Sequence, residues 1–170
     1  MKQTEKASTK RRSKVNKSAA SKRDEFRIRR ARMTDLKAVV GMSSAVSEIE
    51  NYPGQKMKKE DFVHFVRGHG STMLVAVAAG ETIGYVTIYE SENYFYLPYA
   101  VTKKQWRSRG VGSALLREVE RLASGRNVDY ILMSVYAYNS SVHKFLKARG
   151  YVASKKLVQY SKIISGRGKR

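Results

Sequence analysis

The pattern of apolar and turn residues predicts an α/β protein of the α+β kind: a mixed, mostly antiparallel sheet with helices on both faces. Three observations carry this expectation. Residues 71–101 read as three successive strands, "STMLVAVAAGETIGYVTIYE" around a turn at Ala79–Thr82 and then "NYFYLPYAV", the pattern of a meander. Residues 128–138, "VDYILMSVYAY", form a nearly unbroken β-type run after a helical segment, which suits an interior strand and one parallel pair. Helical periodicity recurs before the meander and on either side of that run.

In chain order, "FRIRRAR" alternates like a strand, with Phe26, Ile28 and Arg30 on one face. Thr34 stands where an N-cap belongs, ahead of Leu36, Val39, Val40 and Ser43 at helical spacing. "YPGQ" at 52–55 breaks the chain. "KKEDFVHFVRG" predicts a short amphipathic helix with Phe62, Phe65 and Val66 inward and a stop at Gly68. After the meander, "GVGSALLREVERLASG" is helical, its apolar stripe made by Val111, Leu115, Val119 and Leu122. "NSSVHKFLKARG" predicts a helix with Asn139 as N-cap and Gly150 just past its end. "YVASKKLVQYSKII" closes with strand-like segments, and no internal repeat is visible.

The charge is unusual. The 170 residues carry 34 Lys and Arg against 14 Asp and Glu, a net charge of +20. Residues 1–25 hold 9 basic and 3 acidic side chains and almost no large apolar groups. Such a segment cannot bury enough surface to offset its ordering entropy, so a disordered basic arm is expected there. A folded domain is expected over 26–164 and a basic tail over 165–170, the folded part being basic in its own right. That field attracts anions: nucleic acid, ribosomes, acidic proteins or a polyphosphate cofactor. With no cysteine, disulfides and thiolate metal sites are excluded. His64, His69 and His143 are not spaced as metal ligands, so no metal is expected. No stretch has the roughly 18 apolar residues of a membrane helix, and no secretory signal is visible, so a cytoplasmic address and no membrane partner are expected.

"RSRGVG" at 107–112 follows a strand and opens a helix. Glycines there let the backbone approach a ligand, and first-turn amides with the helix dipole behind them suit an anion. The same residues also suit a plain helix-opening turn. The P-loop pattern fails because no Gly-Lys-Ser/Thr follows, and a dinucleotide fingerprint would need glycine at Leu115.

Two segments together resemble a known family. "AVTKKQWRSRGVGSALL" resembles the signature segment of the GCN5-related N-acetyltransferases (GNAT), whose motif is Q/R-x-x-G-x-G/A, and "NSSVHKFLKARGYV" resembles their second signature. The element order over residues 26–164 is similar to that fold. The resemblance implies an enzyme that moves an acetyl group from acetyl-CoA, its co-substrate, to an amine. It places the pyrophosphate on the amides of Ser108, Arg109, Gly110, Val111, Gly112 and Ser113, with Arg107 and Arg109 adding charge. It places the pantetheine along the edge of Ala100, Val101 and Thr102, with Asn139 touching that arm as well as capping its helix.

The chemistry needs a proton acceptor, because a lysine-like amine is protonated below about pH 10.4. It also needs a donor to the developing oxyanion, and it gains from a proton for the leaving thiolate. Here the chain departs from the resemblance. Leu146 stands where many relatives carry a tyrosine donor, and Ser134 stands where ribosomal-protein acetyltransferases carry a glutamate. Tyr94 and Tyr96 replace the glutamate of histone-type members. The candidates that remain are Tyr138 beside the expected thioester, Tyr96, and the His143 imidazole. Tyr136 is a further candidate, and Glu90 and Glu92 could activate a water. The tyrosines equally suit sheet core, His143 a surface position, and the glutamates a solvated turn.

A polyamine would be repelled at long range by a +20 chain. A protein or peptide acceptor, through a lysine or an N-terminal amine, fits better. A small-molecule amine, or a weakly catalytic cofactor-binding module whose basic arm meets nucleic acid or ribosomes, stand as alternatives. Monomer and homodimer are both compatible with the sequence.

Overall fold

A computed structural model of the chain describes residues 25–45 and 56–154. The expected basic arm, the "YPGQ" break, the C-terminal tail and most of the closing strand-like segment lie outside the described residues. In chain order the elements are β1 (Arg27–Arg30), α1 (Leu36–Ser44), α2 (Lys59–Arg67), β2 (Ser71–Ala78), β3 (Glu81–Glu90), β4 (Tyr94–Tyr96), β5 (Ala100–Thr102), α3 (Val111–Ser124), β6 (Tyr130–Leu132) and α4 (Ser140–Lys147). Among the described residues no helix is long and apolar enough to cross a membrane. The chain divides after Leu132 into two compact units.

The first unit holds the sheet, whose strand order is β1-β2-β3-β4-β6, with β5 also on β3. Four of the pairings are antiparallel and only β4 with β6 is parallel, the mixed arrangement the sequence predicts. The β2–β3 hairpin turns through Ala79 (φ 47°) and Gly80 (φ 81°). Two left-handed residues in a two-residue loop match the right-handed twist of the flanking strands, so β3 already begins at Glu81, inside the expected turn.

Every residue of β2 is buried, as is Thr82–Ile88 of β3, because both sheet faces are covered. Met73, Val75, Val77 and Tyr85 pack with Val39 and Met42 of α1 and Phe62 and Phe65 of α2. Successive side chains of a strand alternate in direction, so Leu74, Ala76 and Val86 face the other way, toward the side α3 packs on with Val111, Leu115, Leu116 and Val119 buried. Each such buried aliphatic side chain contributes about 1.5–3 kcal/mol.

Two sequence expectations are corrected. The "NYFYLPYAV" strand is split: β4 pairs with Tyr89 and Glu90, while β5 pairs with Gly84–Val86 further along the same neighbour. The "VDYILMSVYAY" run forms a strand only at Tyr130–Leu132, where Tyr130 is 49% and Leu132 44% exposed. Its partner β4 has three residues, and Leu97 N–H gives the last bond of the ladder, to Leu132 O at 2.9 Å. Of the closing strand-like segment "YVASKKLVQYSKII", residues 155–164 lie outside the described residues.

Thr34 does not cap α1. Met33–Asp35 form a single 3-10 turn, and Asp35 is the residue that fixes it. Its buried carboxylate takes a two-pronged bond from Arg29 (2.7 and 2.9 Å), one from the Arg32 amide (2.7 Å) and one from Thr82 Oγ1 (2.7 Å). Burial pushes the Asp35 pKa up, but the bonds from Arg29, the Arg32 amide and Thr82 outweigh it and hold the group below its usual value. A carboxyl depressed in the folded state stabilises above its unfolded pKa, about 3.9, and that stability is lost as pH falls through the folded value.

In the second unit, Asn139 Oδ1 accepts from the Val142 amide at 3.3 Å and caps α4, and Gly150 (φ 82°) follows its end, as the sequence predicts.

We expect Asp35→Ala to lower stability by about 3 kcal/mol in urea unfolding, since it strands a partly buried guanidinium and two donors. The same variant should flatten the loss of stability as pH falls below about 4. A wild-type acid slope retained in the variant would show that other carboxylates carry it.

Candidate functional site

The mouth of α3 is shaped by two left-handed residues. After β5 the chain makes a 3-10 turn at Lys104–Trp106, and then Ser108 (φ 60°) and Gly110 (φ 86°) swing it into the helix. Gly110 is the N-cap residue, and no side chain caps the helix. The first intrahelical bond is Ala114 N–H to Gly110 O at 2.9 Å, so the amides just before it have no carbonyl of their own turn. A Cβ at Gly110 would meet nothing within 4 Å. The glycine is needed for its backbone angle and leaves open space above the helix end. Arg107, Ser108, Arg109 and Gly110 are all exposed. Arg107 Nε reaches Thr102 O at 3.4 Å, and the Arg109 guanidinium lies 5.4 Å from the Trp106 ring. Backbone donors of a first helical turn, a helix dipole and two cations are a donor set that fits a diphosphate.

What brings this turn to the sheet is Gly84. A Cβ there would lie 3.0 Å from Val101 O and 3.1 Å from Val111 Cγ1. Its absence lets β3, β5 and the first residue of α3 converge. An isolated glycine inside an apolar strand run is the sequence signal of such a close approach, and it is the signal that could have located this junction.

Ala100, Val101 and Thr102 form β5, which pairs with β3 on one side; no described strand pairs on the other. Between β4 and β5 the chain is pinned to opposite neighbours. Leu97 N–H bonds to Leu132 O, while Tyr99 O accepts from the Thr87 amide (2.9 Å) and Tyr99 N–H donates to Thr87 Oγ1 (3.1 Å). The sheet therefore divides at Leu97–Tyr99, with β6 held to β4 and β5 held to β3. An extended ligand can add along such an edge by main-chain hydrogen bonds.

The catalytic candidates fall in two places. Tyr96 lies on β4 directly opposite Tyr89 and is half-buried. Tyr138, Asn139 and His143 come together in the second unit. Tyr138 is 61% exposed and stacks on Tyr136 with ring centroids 5.2 Å apart. His143 Nε2 lies 3.0 Å from Tyr136 O, which also accepts the Asn139 amide. A carbonyl only accepts, so Nε2 carries the proton and Nδ1 is the basic nitrogen of the neutral ring. His143 is thus half-buried and oriented, not the bare surface residue that the sequence also allowed. Leu146 is buried and offers no proton. Glu90 is no solvated turn: it accepts from Thr72 Oγ1 and is ion-paired with Arg126. Glu92 is exposed.

Sequence reasoning missed Asp61, Tyr89 and Tyr99, which gather beside Tyr96. Phe65 of α2 packs on Tyr89 with centroids 4.8 Å apart, and His64 lies 5.7 Å from the same ring. Burial raises the Tyr99 phenol pKa, and the charge of Asp61 and the neighbouring Tyr89 and Tyr96 raise it further. A helix position (Asp61), a strand position (Tyr89) and a residue of the β4–β5 connection (Tyr99) carry no common spacing signal.

The model of the Acetyltransferase (GNAT) family matches residues 41–151. An N-alpha-acetyltransferase of Sulfurisphaera tokodaii is 28% identical over 154 residues, covering 83% of this chain and 89% of the relative. Among solved structures, the aminoglycoside acetyltransferase AAC(6')-Iy in complex with the bisubstrate analogue CoA-S-monomethyl-acetylneamine superposes with a TM-score of 0.69 at 18% identity, covering 82% of this chain and 99% of that one. A ribosomal-protein-alanine N-acetyltransferase from Brucella melitensis biovar Abortus 2308 gives a TM-score of 0.63 at 14% identity, over 81% of this chain and 100% of that one. At these identities the solved structures show the fold alone.

Gly110→Leu should weaken CoA binding at least tenfold by calorimetry, because a side chain occupies the open space and the left-handed φ costs about 1–2 kcal/mol. Unchanged affinity in a folded variant would remove this turn from the site.

Proposed function

The chain belongs to the GNAT family of acetyltransferases and is an acetyl-CoA-dependent N-acetyltransferase, and from that premise we propose that its acceptor is a protein amine, an N-terminal α-amine before a lysine. The observation that carries this reading is the likeness to an N-alpha-acetyltransferase, 28% identical over 83% of this chain and 89% of the relative. The likeness to aminoglycoside acetyltransferases, at 18% identity, speaks for shape and not for substrate.

Two physical arguments point the same way. A polycationic acceptor is disfavoured at long range by a chain of net charge +20. An α-amine has a pKa of about 7.7–8.0 against about 10.4 for lysine, so near neutrality a useful fraction is already unprotonated. That suits a chain with Ser134 and Leu146 where a glutamate base and a tyrosine acid would otherwise stand. The acceptor that asks least of a base is the one this set of residues can serve.

In this reading acetyl-CoA supplies the activated acetyl thioester, and the chain binds, orients and handles protons. The amides from Ser108 to Ser113, with Arg107 and Arg109, hold the diphosphate. The edge of Ala100–Thr102 aligns the pantetheine. Tyr96, Tyr138 and His143 are the groups able to accept or return a proton, His143 through Nδ1. Positioning accounts for much of the rate, since aligned reactants gain effective molarities of about 10⁵ M or more.

The test is a panel of acceptors with labelled acetyl-CoA: peptides with free N-termini and no lysine, the same peptides blocked at the N-terminus and carrying lysine, and aminoglycosides. The free N-terminal peptides should be labelled with kcat/KM at least tenfold above both other groups. Labelling confined to aminoglycosides or other small amines would overturn the proposal.

A further inference from the structure

The ring cluster beside β4 carries an inference about how the acceptor is recognised. Asp61 stands in the first turn of α2, half-exposed, and Phe65 follows four residues later on the same helix face. Phe65 packs on Tyr89, which is 41% exposed at the end of β3. Tyr96 is the direct cross-strand partner of Tyr89. Tyr99 is fixed to Thr87, two residues before Tyr89 on the same strand face, by hydrogen bonds in both directions. Three phenols from three backbone segments are therefore gathered against one helix end.

The carboxylate belongs to this group electrically. Burial raises the Tyr89 phenol pKa first, and the Asp61 charge raises it further; the same two causes act on Tyr99 in the same order. Both phenols are thus held neutral near pH 7, and the Tyr89 ring, packed by Phe65 and His64, remains 41% exposed. A cation over a neutral aromatic ring gains about 0.5–2 kcal/mol, and a carboxylate at its side adds to that. Lys58 and Lys59 open the same helix and Glu60 stands beside Asp61 in its first turn. Among these charges Asp61 is the one that acts on the Tyr89 and Tyr99 phenols, which suits a single ammonium.

We propose that Asp61, with the rings of Tyr89, Tyr96 and Tyr99, receives the ammonium form of the acceptor amine, which gives its proton to water before the neutral amine attacks the thioester, and selects acceptors bearing a positive charge at that point. Asp61 also serves its helix, since Oδ2 accepts from the Lys58 amide at 3.0 Å. The two duties can be separated. Asp61→Asn keeps a carbonyl oxygen for the cap and removes only the charge.

The experiment compares wild type, Asp61→Asn and Tyr89→Leu in the full chain. Asp61→Asn should raise KM for a free N-terminal peptide about tenfold, equivalent to about 1.4 kcal/mol, and leave kcat and KM for acetyl-CoA within twofold. A peptide ending in a quaternary trimethylammonium, which cannot be acetylated, should inhibit wild type about tenfold better than its neutral desamino analogue, and Asp61→Asn should lose that preference. Tyr89→Leu should shift the same two readouts in the same direction, and it supplies the answer if Asp61→Asn fails to fold. Equal inhibition of wild type by the charged and neutral peptides, or an unchanged acceptor KM in both variants, would overturn the assignment.

The inference rests on the acceptor reading above, and the two fail differently. If wild type labels only small amines, the N-terminal reading falls. The charge test then proceeds with the amine that reacts and its quaternary analogue, and it supports or overturns the role of Asp61 on its own.

Discussion

At residue 84 the main chain of β3 comes so close to its neighbours that no side chain can stand between them. A methyl group would sit at 3.0 Å from Val101 O and 3.1 Å from a Val111 methyl, inside contact distance on both sides. Because the position is glycine, β5 can lie against β3 and the first turn of α3 can settle on both. The helix mouth, with Gly110 turned left-handed beneath open space, is thereby aimed along the free edge of β5. In the proposed binding mode the diphosphate sits at that mouth and the pantetheine arm runs toward Leu97–Tyr99, where the sheet divides. The site follows from one missing Cβ and a strand pinned to two different neighbours.

The electrostatics of the chain work on two scales. At long range the +20 charge gathers anions and repels polycations, and Arg107 and Arg109 put part of that charge beside the helix mouth. At short range the few acidic groups are given fixed duties: Asp35 locks the turn before α1, and Glu90 bonds Thr72 and Arg126. Asp61 caps α2 through the Lys58 amide and also acts on the Tyr89 and Tyr99 phenols, which is why the proposed recognition role is assigned to it and not to the structural ion pairs.

Much of the architecture is legible in the amino-acid sequence. The mixed sheet, the helices around it, the Asn139 cap and the glycine after α4 all follow from local rules of period, capping and turn chemistry, and "RSRGVG" marks the turn that opens α3. What is not legible depends on partners far away in sequence. "VDYILMSVYAY" has the composition of an interior strand throughout, yet it forms ladder bonds only as far as β4 reaches. "NYFYLPYAV" is one apolar run, but Leu97 and Tyr99 bond to different neighbours and split it. Thr34 is a good cap residue that loses the position to Asp35, whose carboxylate is claimed by Arg29 and Thr82 across the sheet. The ring cluster is hidden for the same reason: α2, β3 and the β4–β5 turn meet only in three dimensions.

The central claim is that the backbone donors at the start of α3 grip the diphosphate of acetyl-CoA. Amide chemical shifts followed by NMR during CoA titration test it residue by residue. The account predicts that the largest shifts fall on Ser108 through Ser113, that pantetheine without its nucleotide leaves these amides unmoved, and that inorganic pyrophosphate moves them alone. If those amides stay still on saturation with CoA while others in the sheet respond, the cofactor lies elsewhere and the proposed site is wrong.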